Sequence, residues 1–180
     1  MKEYKDVMID IESLATNSNA VVTQLGACFF NRETAEIGET FTVNIRIQDC
    51  LNKGLEVDEG SLRFWFSQPH KTFLHDPVSL AKALGRFRTF YYKVNKKALI
   101  WSHSTFDIKV LTNVYHIIGE SIPFSYRNTR DIRTLVDLAN LKWNKDENKE
   151  VNENPHDALS DAIFQVSYCC EAFAKIKGLK

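Results

Sequence analysis

Val7-Met8-Ile9-Asp10-Ile11-Glu12 is the stretch whose reading decides the fold. In an extended strand successive side chains alternate between faces, so Val7, Ile9 and Ile11 share one side while Asp10 and Glu12 project together from the other. Two carboxylates that close repel each other, and a half-buried sheet adds a desolvation cost unless a cation neutralises them. Two readings follow from this segment alone: a solvent-exposed edge strand with two surface acids, or half of a divalent-metal site.

Working outward, Val21 to Phe30 reads as a second strand and Phe41 to Ile47, with clean alternation, as a third. Three consecutive strands with short connectors predict an antiparallel meander. The stretch from Asp49 to Glu59 reads as irregular, and Leu62 to Phe66 as a short helix stopped by Pro69. Pro77 opens a longer amphipathic helix with Leu80, Leu84, Phe87 and Tyr91 on one stripe. Ala98 to Trp101 is a short apolar run suited to a buried strand, followed by a helix from Phe106 to Ile118 that ends at Gly119. Asp107 therefore falls where a strand hands over to a helix, a place where ligands collect in open α/β sheets. Asn128 to Leu138 reads as helical, and Asn144 to Asn154, almost wholly polar, as a mobile loop. Asn154 and Pro155 then form a cap and first turn for a last helix running to about Lys175, with Ala162, Ile163, Val166 and Cys170 as its buried stripe. Strands first, then alternating helix and strand, predict one α/β domain over residues 1–180 with a mixed sheet.

Composition narrows the function classes. The 180 residues carry 23 Lys plus Arg against 23 Asp plus Glu, so no global positive field marks a nucleic-acid partner and any such contact needs a local basic patch. Lys71, Arg86, Lys93, Lys96 and Lys97 are candidates for that patch. Cys28, Cys50, Cys169 and Cys170 form no Cys-x-x-Cys pair, which suits neither a disulfide framework nor a zinc cage and predicts reduced thiols. The charged first ten residues leave no apolar core for a signal peptide, and no run reaches membrane-spanning length. The expectation is a cytoplasmic protein with no membrane contact.

His156 and Asp161 flank the start of the last helix. Acids at a helix start often serve only its dipole, which explains Asp157 better than Asp161. Mg²⁺ and Mn²⁺ prefer carboxylate oxygens, and a two-metal site holds its ions about 3.5–4 Å apart to stabilise the attacking and leaving oxygens of a phosphodiester. Such a site needs three or four acids. A histidine at its rim, titrating at about 6.5 in short peptides, suits proton transfer from the attacking water.

Asp10-Ile11-Glu12, then Trp101-Ser102-His103-Ser104-Thr105-Phe106-Asp107, then His156-Asp157-Ala158-Leu159-Ser160-Asp161-Ala162 resemble the three motifs of the DEDD exonuclease superfamily in its histidine-containing (DEDDh) branch. Ser61 to Trp65 with Gln68, and Tyr126 to Leu135, make the chain most similar to phage exonucleases of the exonuclease A type and to small mycobacterial exoribonucleases. The resemblance implies a ribonuclease H-like fold, a central mixed five-stranded sheet flanked by helices. It also implies two Mg²⁺ or Mn²⁺ ions, with Asp10, Glu12 and Asp161 around one, Asp10 and Asp107 on the other, and His156 as general base. The implied reaction is 3′→5′ hydrolysis of single-stranded nucleic acid, DNA or RNA, releasing nucleoside 5′-monophosphates. Relatives often dimerise, which leaves monomer and homodimer both open. Relatives often carry Gly or Asn where Ser102, His103 and Ser104 stand here.

Other residues are candidate substrate contacts. Arg127, Arg130 and Arg133 recur every three residues and would line one side of a helix as a phosphate clamp, or stand as solvated surface arginines. Leu14 and Phe106 flank the acids and would pack against the terminal base or ribose, or serve the core. Ser13 offers its backbone amide to a 3′-hydroxyl, and His103 contacts substrate or fills space. Trp65, Phe64 and Phe66 read as core. Two further functions share this sequence: a binding module with the same fold and no turnover, and a phosphodiesterase of dinucleotides or short oligonucleotides.

Overall fold

In the computed structural model, which describes residues 4–69, 72–94, 97–103, 105–141 and 154–178, the alternating stretch becomes strand β1, Asp6–Ser13. It pairs antiparallel with β2, Val22–Asn31, which pairs antiparallel with β3, Glu36–Asn44. On its other side β1 runs parallel to β4, Leu99–Ser102, which runs parallel to β5, Thr129–Asp131. The order β3-β2-β1-β4-β5 is the expected mixed five-stranded sheet. Because β1 is the middle strand, the edge-strand reading of Asp10 and Glu12 falls: both are buried, 8% exposed each.

Each face of the sheet carries its own core. Val7, Ile9 and Ile11, with Leu25, Ala27 and Phe29 beside them on β2, pack against α3, Leu80–Tyr91, and α4, Asp107–Ile117. Leu80, Leu84, Phe87 and Tyr91 are all buried there as the helical stripe requires, each contributing about 1.5–3 kcal/mol. Met8, Cys28 and Phe30 point to the opposite face, under α5, Ile132–Leu138, and α6, Ala158–Ile176. The acids of β1 share this second face. Two short helices, α1 at Ile47–Leu51 and α2 at Glu59–Ser67, complete the elements, with Asp58 capping α2 by accepting from the Ser61 amide.

Several boundaries differ from the sequence expectation, each for a local reason. The third strand starts earlier and stops at Asn44, because Ile47, expected to end it, instead opens α1, which continues into the stretch expected to be irregular. Pro77 does not open α3; Ser79 caps it, accepting from the Lys82 amide. The expected helix from Asn128 divides into a 3-10 turn, Tyr126–Asn128, then β5, then α5, because Thr129 to Asp131 pair with Ile100 to Ser102 and Asp131 caps the helix that follows. Pro155 does not open α6: Asp157 caps it by accepting from the Ser160 amide, and His156 lies before it at φ 66°. Ile163 is exposed rather than part of the buried stripe, and Phe64 and Phe66 are 41% and 76% exposed, leaving Trp65 as the buried member of that trio. Of the loop expected from Asn144 to Asn154, residues 144–153 lie outside the described residues, as do Lys71, Lys96 and Ser104.

All four cysteines are free and buried, and burial pushes the Cys28 thiol up to about 12. No helix among the described residues is long and apolar enough to cross a membrane.

Candidate active site

The register of β1 on β2 builds the floor of the site. Asp10 stands opposite Gly26 and Glu12 opposite Gln24, all on the α6 face. A Cβ on Gly26 would overlap the backbone of Ala158 and Leu159, so glycine is what lets the first turn of α6 lie directly on the sheet beside Asp10. Gln24 then pins that turn. Its Oε1 accepts from the Ala158 amide at 2.7 Å, and its Nε2 donates to Asp157 Oδ2 at 3.0 Å, which also accepts from Thr72 Oγ1 at 3.0 Å. Neither Gly26 nor Gln24 was singled out from sequence, although a glycine and an amide interrupting an apolar strand are visible signals.

Pinned there, α6 brings Asp161 to the floor, and the turn before it delivers His156. A φ of 66° is left-handed backbone, which costs a non-glycine residue about 1 kcal/mol and persists only where surroundings enforce it. The His156 amide donates to Asp161 Oδ2 at 3.3 Å, and its ring stands edge-on to Phe64 and Trp65, with centroids 4.8 and 6.1 Å away. Trp65 is itself fixed, donating Nε1–H to the Ser13 carbonyl at 2.8 Å. Glu12, His156 and Asp161 each offer a ligand-type atom, and these lie within 4.8 Å of one another.

Asp107, the first residue of α4, closes the other side. Its backbone amide donates to the His103 carbonyl at 3.3 Å, and its Oδ2 is buried with no partner among the described residues. Burial pushes the Asp107 carboxyl up to about 7, with backbone hydrogen bonds and the Arg133 charge pulling the other way. Burial also holds Asp10 well above the usual carboxylate range, and the charges of Asp107, Glu12 and Asp161 push in the same direction. Three further acids thus act on Asp10, two of them, Glu12 and Asp107, buried beside it. Gln165 Nε2, donating to Asp10 Oδ1 at 2.6 Å, is the one side-chain partner of Asp10 among the described residues.

These groups line a cleft of about 730 Å³ with His103, Phe106, Arg133, Phe164, Gln165 and Tyr168. His103 Nε2 and the Tyr168 hydroxyl lie 3.2 Å apart. The remaining sequence candidates stand apart from it. Leu14 is buried in the core, and Ser13, at the end of β1, bonds through Oγ to the Ala15 carbonyl at 2.9 Å. Arg127 lies over the Tyr126 ring at 5.6 Å, and Arg130 Nη1 donates to the carbonyls of Arg127 and Thr129. The three arginines do not share a helical face, since each sits on a different element; Arg133 alone reaches the cleft.

The donor set fits hard divalent cations. Carboxylate oxygens dominate it, one of them is an orphan, and the mutual repulsion is of the kind that bound cations relieve.

The fold is found in solved nucleases. E. coli exonuclease I in complex with a dT13 oligonucleotide superposes with a TM-score of 0.72 at 16% identity, over 99% of this chain and 42% of that one. A product-bound exonuclease I gives 0.67 at 14% identity, over 96% and 44%. S. pombe Pop2p in an Mg²⁺- and Mn²⁺-bound form gives 0.64 at 14% identity, over 98% and 86%. The chain spans less than half the length of the exonuclease I chains it matches. No curated protein sequence matches it. The family model described as the 3′-5′ exoribonuclease Rv2179c-like domain matches residues 5–173, nearly the whole sequence. The chain belongs to the 3′-5′ exoribonuclease Rv2179c-like domain family, in the DEDD type of exonuclease folds.

Proposed function

We propose that this chain is a divalent-cation-dependent 3′→5′ exonuclease, a single domain that removes nucleoside 5′-monophosphates from the 3′ end of single-stranded nucleic acid. The observation that carries this reading is the convergence of Asp161 with the buried Asp10, Glu12 and Asp107, where burial and like charge oppose ionisation of Asp10 and, among the described residues, one amide offsets them. Family membership and the oligonucleotide held by an exonuclease I of the same fold support the substrate class.

Asp10, Glu12 and Asp161 would hold one cation and Asp10 with Asp107 a second. When bound, Mg²⁺ or Mn²⁺ neutralises these carboxylates and supplies electrostatic stabilisation to the oxygens that gain charge. His156 has a ring nitrogen within 4.8 Å of oxygens on Glu12 and Asp161, a separation one water would span, which supports its role as the base that would take a proton from an attacking water. Phe64 and Trp65 wall the imidazole in and limit its rotation. Arg133, the cationic side chain of the cleft lining, would meet the scissile phosphate. Phe106, on the wall of the cleft, would flank the terminal nucleotide. Buried free thiols suit a reducing cytoplasm.

The test is a 5′-labelled twenty-mer, as single-stranded RNA and as DNA of the same sequence, incubated with Mg²⁺ or Mn²⁺. A ladder shortening from the 3′ end that Asp161→Asn abolishes is expected. Undiminished hydrolysis in Asp161→Asn, or binding without hydrolysis on both substrates, would overturn the reading.

A further inference from the structure

We propose that Gln165 is a positioning residue: its carboxamide fixes the Asp10 carboxylate in the orientation that receives a divalent cation. This rests on the cation-dependent reading above and deepens it. Gln165 lies one turn beyond Asp161 on α6, so the two side chains share a helix face. It is 4% exposed and donates Nε2–H to Asp10 Oδ1 at 2.6 Å. The terminal torsion of an aspartate is broad and two-fold, so without such a bond the carboxylate would sample several orientations.

As packing, glutamine is a poor choice here. It belongs with Ala162, Val166 and Cys169 to the buried residues of α6, and its Oε1 is buried with no partner among the described residues. An unsatisfied buried acceptor costs about 1–3 kcal/mol, whereas Met would fill a similar volume at no such cost. The amide also does what a cation would not. A Lys or Arg at this position would neutralise Asp10 and compete with an incoming ion, but an amide orients the carboxylate and leaves its charge in place.

The experiment compares wild type with Gln165→Met, which keeps the volume and loses the donor, and Gln165→Asn, which keeps the donor but draws it back by one methylene. Three readouts are taken: Mn²⁺ binding by electron paramagnetic resonance titration, metal-free melting temperature, and hydrolysis rate against Mn²⁺ concentration. Both variants should need roughly ten- to hundredfold more Mn²⁺ for half saturation, as for other residues that orient metal ligands. Gln165→Met should melt metal-free at or above the wild-type temperature, and saturating Mn²⁺ should bring both variants close to the wild-type rate. Should Gln165→Met fail to fold, Gln165→Asn carries the same comparison. Variants that titrate like wild type overturn the proposal, whether or not their melting temperature falls, because packing alone then explains Gln165. A wild-type chain that takes up no Mn²⁺ overturns the cation-dependent reading itself, an outcome read without any variant.

Discussion

Asp6 and Asp10 lie four residues apart on one strand, point to the same face and are both buried, yet the protein treats them in opposite ways. Asp6 is answered from within. Arg32 binds it with both arms, Nε to Oδ2 at 2.9 Å and Nη2 to Oδ1 at 2.7 Å, and Trp101 Nε1 donates to Oδ1 at 2.8 Å. The guanidinium is also held between the rings of Trp101 and Phe173, 5.4 Å from each. Burial raises Asp6 as it raises Asp10, but Trp101 and Arg32 pull Asp6 back while Asp107, Glu12 and Asp161 push Asp10 further. One end of β1 is balanced by a cation of the fold; at the other, like charges gather around Asp10 against the hydrogen bond of one amide.

The sharpest way to break this comparison is to remove each charge in turn. Asp10→Asn keeps an acceptor for Gln165 and relieves repulsion, so hydrolysis should fall about a thousandfold or more while the metal-free melting temperature holds or rises. A melting temperature that drops with activity would make Asp10 a structural acid after all. Asp6→Ala should do the reverse. It strands Arg32 and the Trp101 N–H, costing about 2–4 kcal/mol of stability, and leaves the rate per folded molecule unchanged. A large loss of specific activity in Asp6→Ala would erase the distinction between the two ends.

A smaller effect tests why α6 reaches the Asp10 end at all. Gly26→Ala forces a methyl into the backbone of Ala158 and Leu159, and overpacking of this kind costs about 1–3 kcal/mol. Since the displaced turn carries His156 and Asp161, activity should fall further than stability accounts for. Equal activity in the folded fraction, measured beside a urea melt, would show that the turn relaxes without moving the site.

Much of this was legible in the chain. Alternation placed the acids of β1 on one face, the meander followed from three consecutive strands with short connectors, and the predicted stripe of α3 is buried at each of its four residues. What escaped reading was set by distant partners. β5 has three residues, too few for any period, and exists because β4 pairs with it. The start of α6 shifted because His156 adopts a conformation that sequence associates with glycine, under constraint from Gln24 on β2. Gln165 is visible in the sequence as an amide in an apolar stripe, but its meaning depends on Asp10, 155 residues away, whose Oδ1 it reaches. The arginine clamp failed for the opposite reason: a spacing of three means one face only if the backbone is helical throughout.

The gentlest probe of the comparison is pH in the absence of metal. Asp10 and Asp107 hold protons in the folded state at pH values where the unfolded chain, at about 3.8, has released them. Asp107 therefore binds more protons folded than unfolded between about pH 4 and pH 7, Asp10 adds to the difference in the same direction, and stability falls as pH rises through that window. In chelator the melting temperature should drop by about 3–6 °C from pH 5 to pH 8, equivalent to about 1–2 kcal/mol for a chain of this size. Mn²⁺ binds the deprotonated carboxylates, so its stabilising effect should be larger at pH 8 than at pH 5. Asp6 titrates within the same protein, so the assignment to the Asp10 end comes from Asp10→Asn, in which the drop should shrink. A wild-type melting temperature that is flat or rising over this range, or an Asp10→Asn profile that overlays it, would place the pH sensitivity elsewhere and remove the electrostatic difference between the two ends of β1.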